Sequence, residues 1–443
     1  MASTYLSKSQ SSSNQQIFTI SCWFKIGNPV SGYNNYLNNF YSDSNNRVGI
    51  IFVDNQDFYF YGINSGVTSV DLETSQKFRD INGWYHVVVK VDTTQATASD
   101  RVKIYINGAQ VTSFSAETYP TQNLNFPTNS THYIGTYDAS TFFWTGLITH
   151  YHYTDGYAYD ASTFGEYDAQ NVWKPKTAPS VTYGTNGCFL KFANAGSLGT
   201  DSSGNGNDFT VNGTGTQTLD TPSNVFATLN SEYSNVSGLT FSNGNNTITN
   251  STSWLSSIST LGMQKGKWYC EVKAVTGTNH SLGVIEYSGS SSDSYYNGAN
   301  IVNQGLIGGY GKNWGWYGLY GSFRYGANVE LTTGNTYTAG DILQIALDYD
   351  NGKIWFGKNG TWENSGDPSN GTNPIFSGIT FTDATFFAFG PESASQSVNF
   401  GNGYFGTTAV STPNADGAGY GKFEYSVPTG YYALCTKNIE TYG

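Results

Sequence analysis

The 443-residue sequence predicts an all-β protein, two antiparallel β-sandwich domains joined by a Gly/Ser/Asn-rich linker. Three observations predict it. Apolar residues recur at every second position through short runs, which is the period of a strand with one buried face. Those runs end in Asn-Gly, Asp-Asn-Gly and similar turn formers that tolerate positive φ. The composition agrees, with 52 Gly, 34 Tyr, 27 Phe and 10 Trp but only 12% charged residues. Strand and turn formers dominate, and this many aromatics set the chain apart from disordered sequences.

The clearest element is residues 343–360 (LQIALDYDNGKIWFGKNG). Leu343, Ile345 and Leu347 share one face, Asp350-Asn351-Gly352 turns the chain, and Ile354 and Phe356 point inward on the return strand with Trp355 outward. An earlier copy of the pattern places Val102, Ile104 and Ile106 on one face before Asn107-Gly108. These read as hairpins of two separate sandwiches. In residues 1–193 strands are expected at 18–26, 48–53, 58–63, 84–91, 102–107, 132–136 and 142–153, with a short helical turn in 160–168. Residues 194–230 read as the linker, a tether rich in turn formers with little to bury. In residues 231–443 strands are expected at 267–272, 281–285, 306–309, 341–348, 353–357, 385–389, 396–400, 421–427 and 432–435.

Net charge of −12 and a pI of 4.7 argue against nucleic acid and against an anionic membrane surface, because both require a basic face. No apolar run is long enough to span a bilayer, and no apolar leader follows Met1, so membrane insertion and a secretory signal are not expected. Cys22, Cys188, Cys270 and Cys435 are scattered without metal-ligand spacing and read as small buried core residues.

Both halves resemble known families. The first resembles the laminin G-like, concanavalin A-like jelly-roll group through residues 18–25 (FTISCWFK), 83–88 (GWYHVV) and 102–108 (VKIYING). Its end, with residues 153–156 (YTDG), 164–166 (FGE), 172–176 (VWKPK), 183–192 (YGTNGCFLKF), 201–209 (DSSGNGNDF) and 219–230 (LDTPSNVFATLN), is similar to a segment of structural proteins of tailed phages, especially marine ones. The second half resembles a SPRY domain through residues 266–272 (GKWYCEV), 282–284 (LGV), 340–343 (GDIL), 348–360 and 397–401 (SVNFG). The resemblance implies a phage virion structural protein. It also implies two binding modules, SPRY loops presented from one edge of a bent sandwich and a jelly roll that meets glycans or proteins.

Candidate chemistry is sparse. His150 and His152 lie two apart on a strand and lack a third ligand, so packing explains them more simply than a metal. Asp54 and Asp57 suit a calcium loop, but hairpin turns favour Asp anyway. Asp201, Asn205, Asn207 and Asp208 supply oxygen donors without EF-hand spacing, and a plain turn accounts for them. The Glu-x-Asp-x-Glu type of run by which concanavalin-like glycanases place paired carboxylates on one strand is not found, nor is a nucleophile elbow. The expectation is a non-enzyme without cofactor or metal.

The most suggestive stretch is residues 310–325 (YGKNWGWYGLYGSFRY), an aromatic loop among glycines. Trp314, Trp316, Tyr317, Tyr320, Phe323 and Tyr325, with Tyr295 and Tyr296 upstream, form the expected ligand-binding set, since aromatic rings stack on sugar faces. The same rings would serve a subunit interface. The expected role is a tail-fibre or tail-tip adhesin on the virion surface. It would be made in the bacterial cytoplasm, assemble with other virion proteins as a homo-oligomer, and bind host-surface glycan or protein. The alternatives are a head decoration or head-fibre protein and a glycan depolymerase.

Overall fold

The computed structural model describes residues 4–27, 34–53, 56–232, 238–287, 312–326 and 329–443. The chain forms two compact units, Met1–Gln217 and Thr218–Gly443. Among the described residues each is a sandwich of one eight-stranded and one six-stranded sheet.

In the first unit the larger sheet runs Phe114–Thr118, Val67–Lys77, Asp57–Asn64, Asn46–Phe52, Asn35–Asp43, Thr131–Ile134, Tyr5–Ser9 and Thr210–Asn212, edge to edge. The smaller runs Cys188–Leu190, Gly146–Asp155, Ile17–Ile26, Tyr85–Asp92, Val102–Ile106 and Ala109–Gln110. Ile20, Cys22, Phe24, Val87, Val89, Ile104, Phe58, Phe60, Val70 and Leu72 fill the space between them. Asn107 and Gly108 turn with φ of 49° and 84°, as the Asn-Gly pair requires. Asn35–Asp43 escaped the sequence pattern because a bulge between Tyr36 and Asn38 shifts its alternation, so Leu37 and Phe40 both reach the core.

The smaller sheet was expected to be half-buried, yet its outer face is covered too. Residues 161–181 fold back over it, and Ala161, Phe164 and Trp173 pack on Val88 and Tyr105. Trp23 stacks on His86 with ring centroids 4.7 Å apart. The Trp173 indole N–H donates to His86 Nδ1 at 3.0 Å. Because indole nitrogen only donates, the His86 proton sits on Nε2, which faces Ser21 Oγ at 2.9 Å.

In the second unit the larger sheet runs Leu239–Ser242, Thr247–Asn250, Ala394–Asn399, Lys267–Thr276, Ile342–Asp348, Lys353–Lys358 and Thr361–Trp362, with Tyr432–Ala433 added in parallel to Lys267–Thr276. The smaller runs Ser257–Ile258, Ala384–Glu392, Asn279–Tyr287, Asn313–Tyr317, Ser322–Tyr325 and Val329–Thr333. Leu343, Ile345, Leu347, Ile354 and Phe356 meet Trp316, Phe323, Phe387 and Phe389 in the core, as the opening hairpin pattern implies. Trp355 is not outward in the sense of solvent. It is fully buried with Tyr269 and Ala346 beneath Phe423, Tyr431 and Cys435, and its indole donates to the Thr372 carbonyl at 2.8 Å. Glu271 on this face accepts from the Glu424 and Tyr425 backbone and the Tyr269 hydroxyl. The strand expected at 421–427 is only Lys422–Phe423, and the one expected at 306–309 lies outside the described residues.

Residues 194–230 are not a tether. Phe209 lies in the first core and Thr210–Asn212 pairs with Tyr5–Ser9, while Ala227 and Leu229 lie in the second core. Asp201 accepts from the N–H groups of Phe189, Ser203 and Asn207, so its turn is an internally satisfied clasp. All four cysteines are buried free thiols, and burial pushes each of them up.

The histidines of the first unit are packing groups. His132 is buried between Asn38 Oδ1 and the Tyr151 hydroxyl, both at 2.8 Å. A bulge between Thr149 and His152 interrupts the strand carrying His150 and His152, and His152 stacks on Phe189 at 3.9 Å. No group of three or more metal-ligating side chains forms among the described residues. Burial pushes His86 and His132 down to about 3 and His150 down to about 4. A depressed histidine binds fewer protons folded than unfolded, so its stabilisation is lost as pH falls below the unfolded value near 6.5. Glu271 has the opposite sign, since burial pushes it up to about 7 and its folded form gains as pH falls from 7 toward the unfolded value. Acidification from pH 7 to 5 is therefore expected to weaken the first unit by roughly 2 kcal/mol per buried histidine, and the second unit far less. Urea titration with pulse proteolysis and peptide mass spectrometry reads the two units separately. Equal midpoint shifts in both would refute this account.

Candidate functional site

The aromatic stretch of the second unit is a hairpin, not a loop. Asn313–Tyr317 and Ser322–Tyr325 pair in register, with residues 318–321 as the turn. Trp316 and Phe323 are core residues, with centroids 5.3 Å apart, and Trp316 also meets Tyr337 at 4.7 Å. Their rings are unavailable to a ligand because the strand period turns them inward. Trp314 is half-buried edge-on to Phe381 at 5.3 Å. Tyr317 is buried between Trp254, at 5.2 Å, and the Arg324 guanidinium, at 5.4 Å. Of the set, Tyr320 and Tyr325 are exposed, by 63% and 39%, and Leu319, Val329 and Leu331 are exposed beside them. Tyr295 and Tyr296 lie outside the described residues. So does Asp54, whereas Asp57 is buried and ion-paired to Lys77.

A better-built site lies on the outer face of the larger sheet of the first unit. Phe58 and Phe60 point into the core, so Tyr59 and Tyr61 point out. Val70 and Leu72 likewise turn Asp71 and Glu73 out, and Val48 and Ile50 do so for Arg47 and Gly49. Antiparallel register then aligns Asp71, Tyr61, Gly49, Asn39 and Tyr133 into one row across five strands. Gly49 is the floor of that row. A Cβ there would come within 2.3 Å of the Asn38 carbonyl and 2.8 Å of Asn39 Oδ1.

The row is polar and aromatic together. Arg47 lies over the Tyr61 and Tyr137 rings at 6.0 and 5.5 Å and donates to the Ser44 carbonyl. Asn39, fully buried, donates from Nδ2 to the Tyr137 carbonyl at 2.8 Å. Its Oδ1, like Asp71 Oδ1, Ser69 Oγ and Arg47 Nε, is buried with no hydrogen-bond partner. Four such atoms lie on this one face, and others are buried elsewhere in both units. Tyr59 stands opposite Glu73 on the neighbouring strand. Burial, with the Glu73 charge beside it, holds the Asp71 carboxyl above its ordinary range.

Such a face can stack a sugar ring on tyrosine and bind its hydroxyls through carboxylate, amide and guanidinium. Asp71 and Glu73 also stand two apart on one strand, with Cα atoms about 6.7 Å apart. Asp71-Leu72-Glu73 is thus a same-strand carboxylate pair, shorter than a Glu-x-Asp-x-Glu run. Its signal was present in the sequence as the alternations Phe58-Tyr59-Phe60-Tyr61 and Val70-Asp71-Leu72-Glu73.

The geometry defines a protein of two β-sandwich modules, the first with a polar, tyrosine-rich sheet face. Comparison with protein families identifies both modules. Residues 2–156 match the concanavalin A-like lectin/glucanases superfamily in its laminin G form, and residues 267–403 match the SPRY domain. The chain carries a laminin G-like domain followed by a SPRY domain. Among solved structures, the SPRY domain of human HERC1 is 16% identical, covering 38% of this chain and 96% of that one with a TM-score of 0.29. The TRIM65 PSpry domain is 14% identical over 39% of this chain and 91% of that one, with a TM-score of 0.30. Comparison with curated proteins finds no match.

The inward placement of Trp316 separates folding from contact. Trp316→Ala is expected to cost the second unit about 3–5 kcal/mol. Tyr320→Ala should leave the unfolding midpoint within about 0.5 kcal/mol of the parent. Denaturant titration by tryptophan fluorescence checks both, and equal costs would place Tyr320 in the core as well.

Proposed function

We propose that this chain is a non-enzymatic adhesin on the surface of a tailed-phage virion, at a tail fibre or tail tip, and that it binds host-envelope glycan. The observation that carries the binding half is the row of Asp71, Tyr61, Gly49 and Asn39, where half-buried tyrosines flank buried polar atoms without partners. Shallow sites of this kind gain useful avidity when many copies act together on one particle. The virion setting is supported by the resemblance of short segments between residues 153 and 230 to tailed-phage structural proteins.

Two further readings each have an observation behind them. The exposed apolar side chains Leu319, Tyr320, Tyr325, Val329 and Leu331 suit contact with another virion subunit, which favours a head decoration or head-fibre protein. The Asp71–Glu73 pair favours a glycan depolymerase, in which one carboxyl with a raised pKa donates a proton and the other acts as base or nucleophile.

Binding of purified protein to host cells and to extracted envelope glycan distinguishes the three. Saturable binding that Tyr61→Ala weakens at least about tenfold, with an unchanged melting temperature, is the adhesin outcome. No binding by the assembled protein favours the decoration reading. New reducing ends that appear with the parent and vanish in Asp71→Asn would establish hydrolysis instead.

A further inference from the structure

The sugar class can be narrowed, on the assumption that the tyrosine row is the glycan site. Asp71, Glu73 and the Asn39 amide oxygen make the row rich in acceptors, and the unpartnered donors beside them are Arg47 Nε and Ser69 Oγ. Asn39 Oδ1 projects over Gly49, and Asp71 Oδ1 lies in the same row, both buried and unpartnered. Glu73 stands beside Asp71, and among the described residues neither carboxylate forms an ion pair. Arg47 is the one guanidinium in this set, and it lies between the Tyr61 and Tyr137 rings and donates to the Ser44 carbonyl. Tyr59 and Tyr61 pair across the strands with Glu73 and Asp71, so two aromatic rings neighbour the two carboxylates.

A ligand that fits must bring donors and positive charge. Sugar hydroxyls supply donors without charge. An ammonium supplies three donors, offsets the carboxylates through charge-assisted hydrogen bonds, and is attracted to the faces of tyrosine rings. We propose that this face selects glycans bearing a free amino sugar, with the ammonium held by Asp71 and Glu73 and the pyranose ring against Tyr59 or Tyr61. N-acetylation would remove both the charge and two of the three donors, so acetylated segments would be rejected.

Three β-1,4-linked hexasaccharides that differ only at C2 make the test: glucosamine, N-acetylglucosamine and glucose oligomers, titrated into the full chain by calorimetry. The glucosamine oligomer is expected to bind at least about tenfold tighter than either of the others. Asp71→Asn combined with Glu73→Gln should abolish that preference, and Tyr61→Ala should weaken all three alike. These side chains face outward, and an unchanged melting temperature confirms that each variant is folded. Equal binding of the three oligomers, a preference for an uncharged one, or no binding at all overturns the amino-sugar inference. The glycan reading itself is judged separately, by Tyr61-dependent binding of host-envelope glycan.

Discussion

One constraint runs through both units: a sheet that is buried on both faces must find partners for its imidazole and carboxylate groups without solvent. In the first unit the smaller sheet is in that position. Trp23, His86 and Trp173 form a stacked layer in which each ring nitrogen of His86 has one partner. In the second unit it is the larger sheet, where Glu271 is held by two backbone N–H groups and a tyrosine hydroxyl under the C-terminal segment. A lone buried carboxylate would be costly, and three donors make it tolerable. The covering segments thus close one sheet of each sandwich. In the first unit the tyrosine row lies on the other sheet.

The alternation of apolar residues made the framework legible. Leu343, Ile345 and Leu347, or Val102, Ile104 and Ile106, could only line a core once set in strands. The same pattern cannot say what covers the opposite face, because Trp355 and Trp23 look identical to it whether they meet solvent or a returning segment. It also misread residues 310–325, since glycines between aromatics suggest a loop until Gly315 is seen to separate two inward-facing tryptophans. Asn35–Asp43 was hidden by a bulge, and the linker was hidden by composition: Asp201 and Asn207 are turn formers, but their hydrogen bonds bind that segment into a domain.

The candidate site was hidden for a different reason. Tyr61, Asp71 and Asn39 lie far apart in sequence and come together only through register across several strands. Local motifs find side chains that share a loop or a strand, and a cross-strand row shares neither. Half of it was nonetheless readable, because every core position in residues 58–61 and 70–73 assigns its neighbour to the outer face. Gly49 adds what side chains cannot. By having none, it leaves room for the Asn39 amide, whose oxygen lies 2.8 Å from where a Cβ would otherwise stand.

The four buried thiols set what folding asks of its surroundings. No covalent bridge is needed to close either sandwich, so folding asks nothing of an oxidising compartment and can finish where glutathione keeps cysteines reduced. Once folded, the sulfurs are shielded and held as thiols, which makes them poor substrates for peroxide or disulfide exchange. These four cysteines therefore respond little to whether the surroundings of the folded chain are oxidising or reducing.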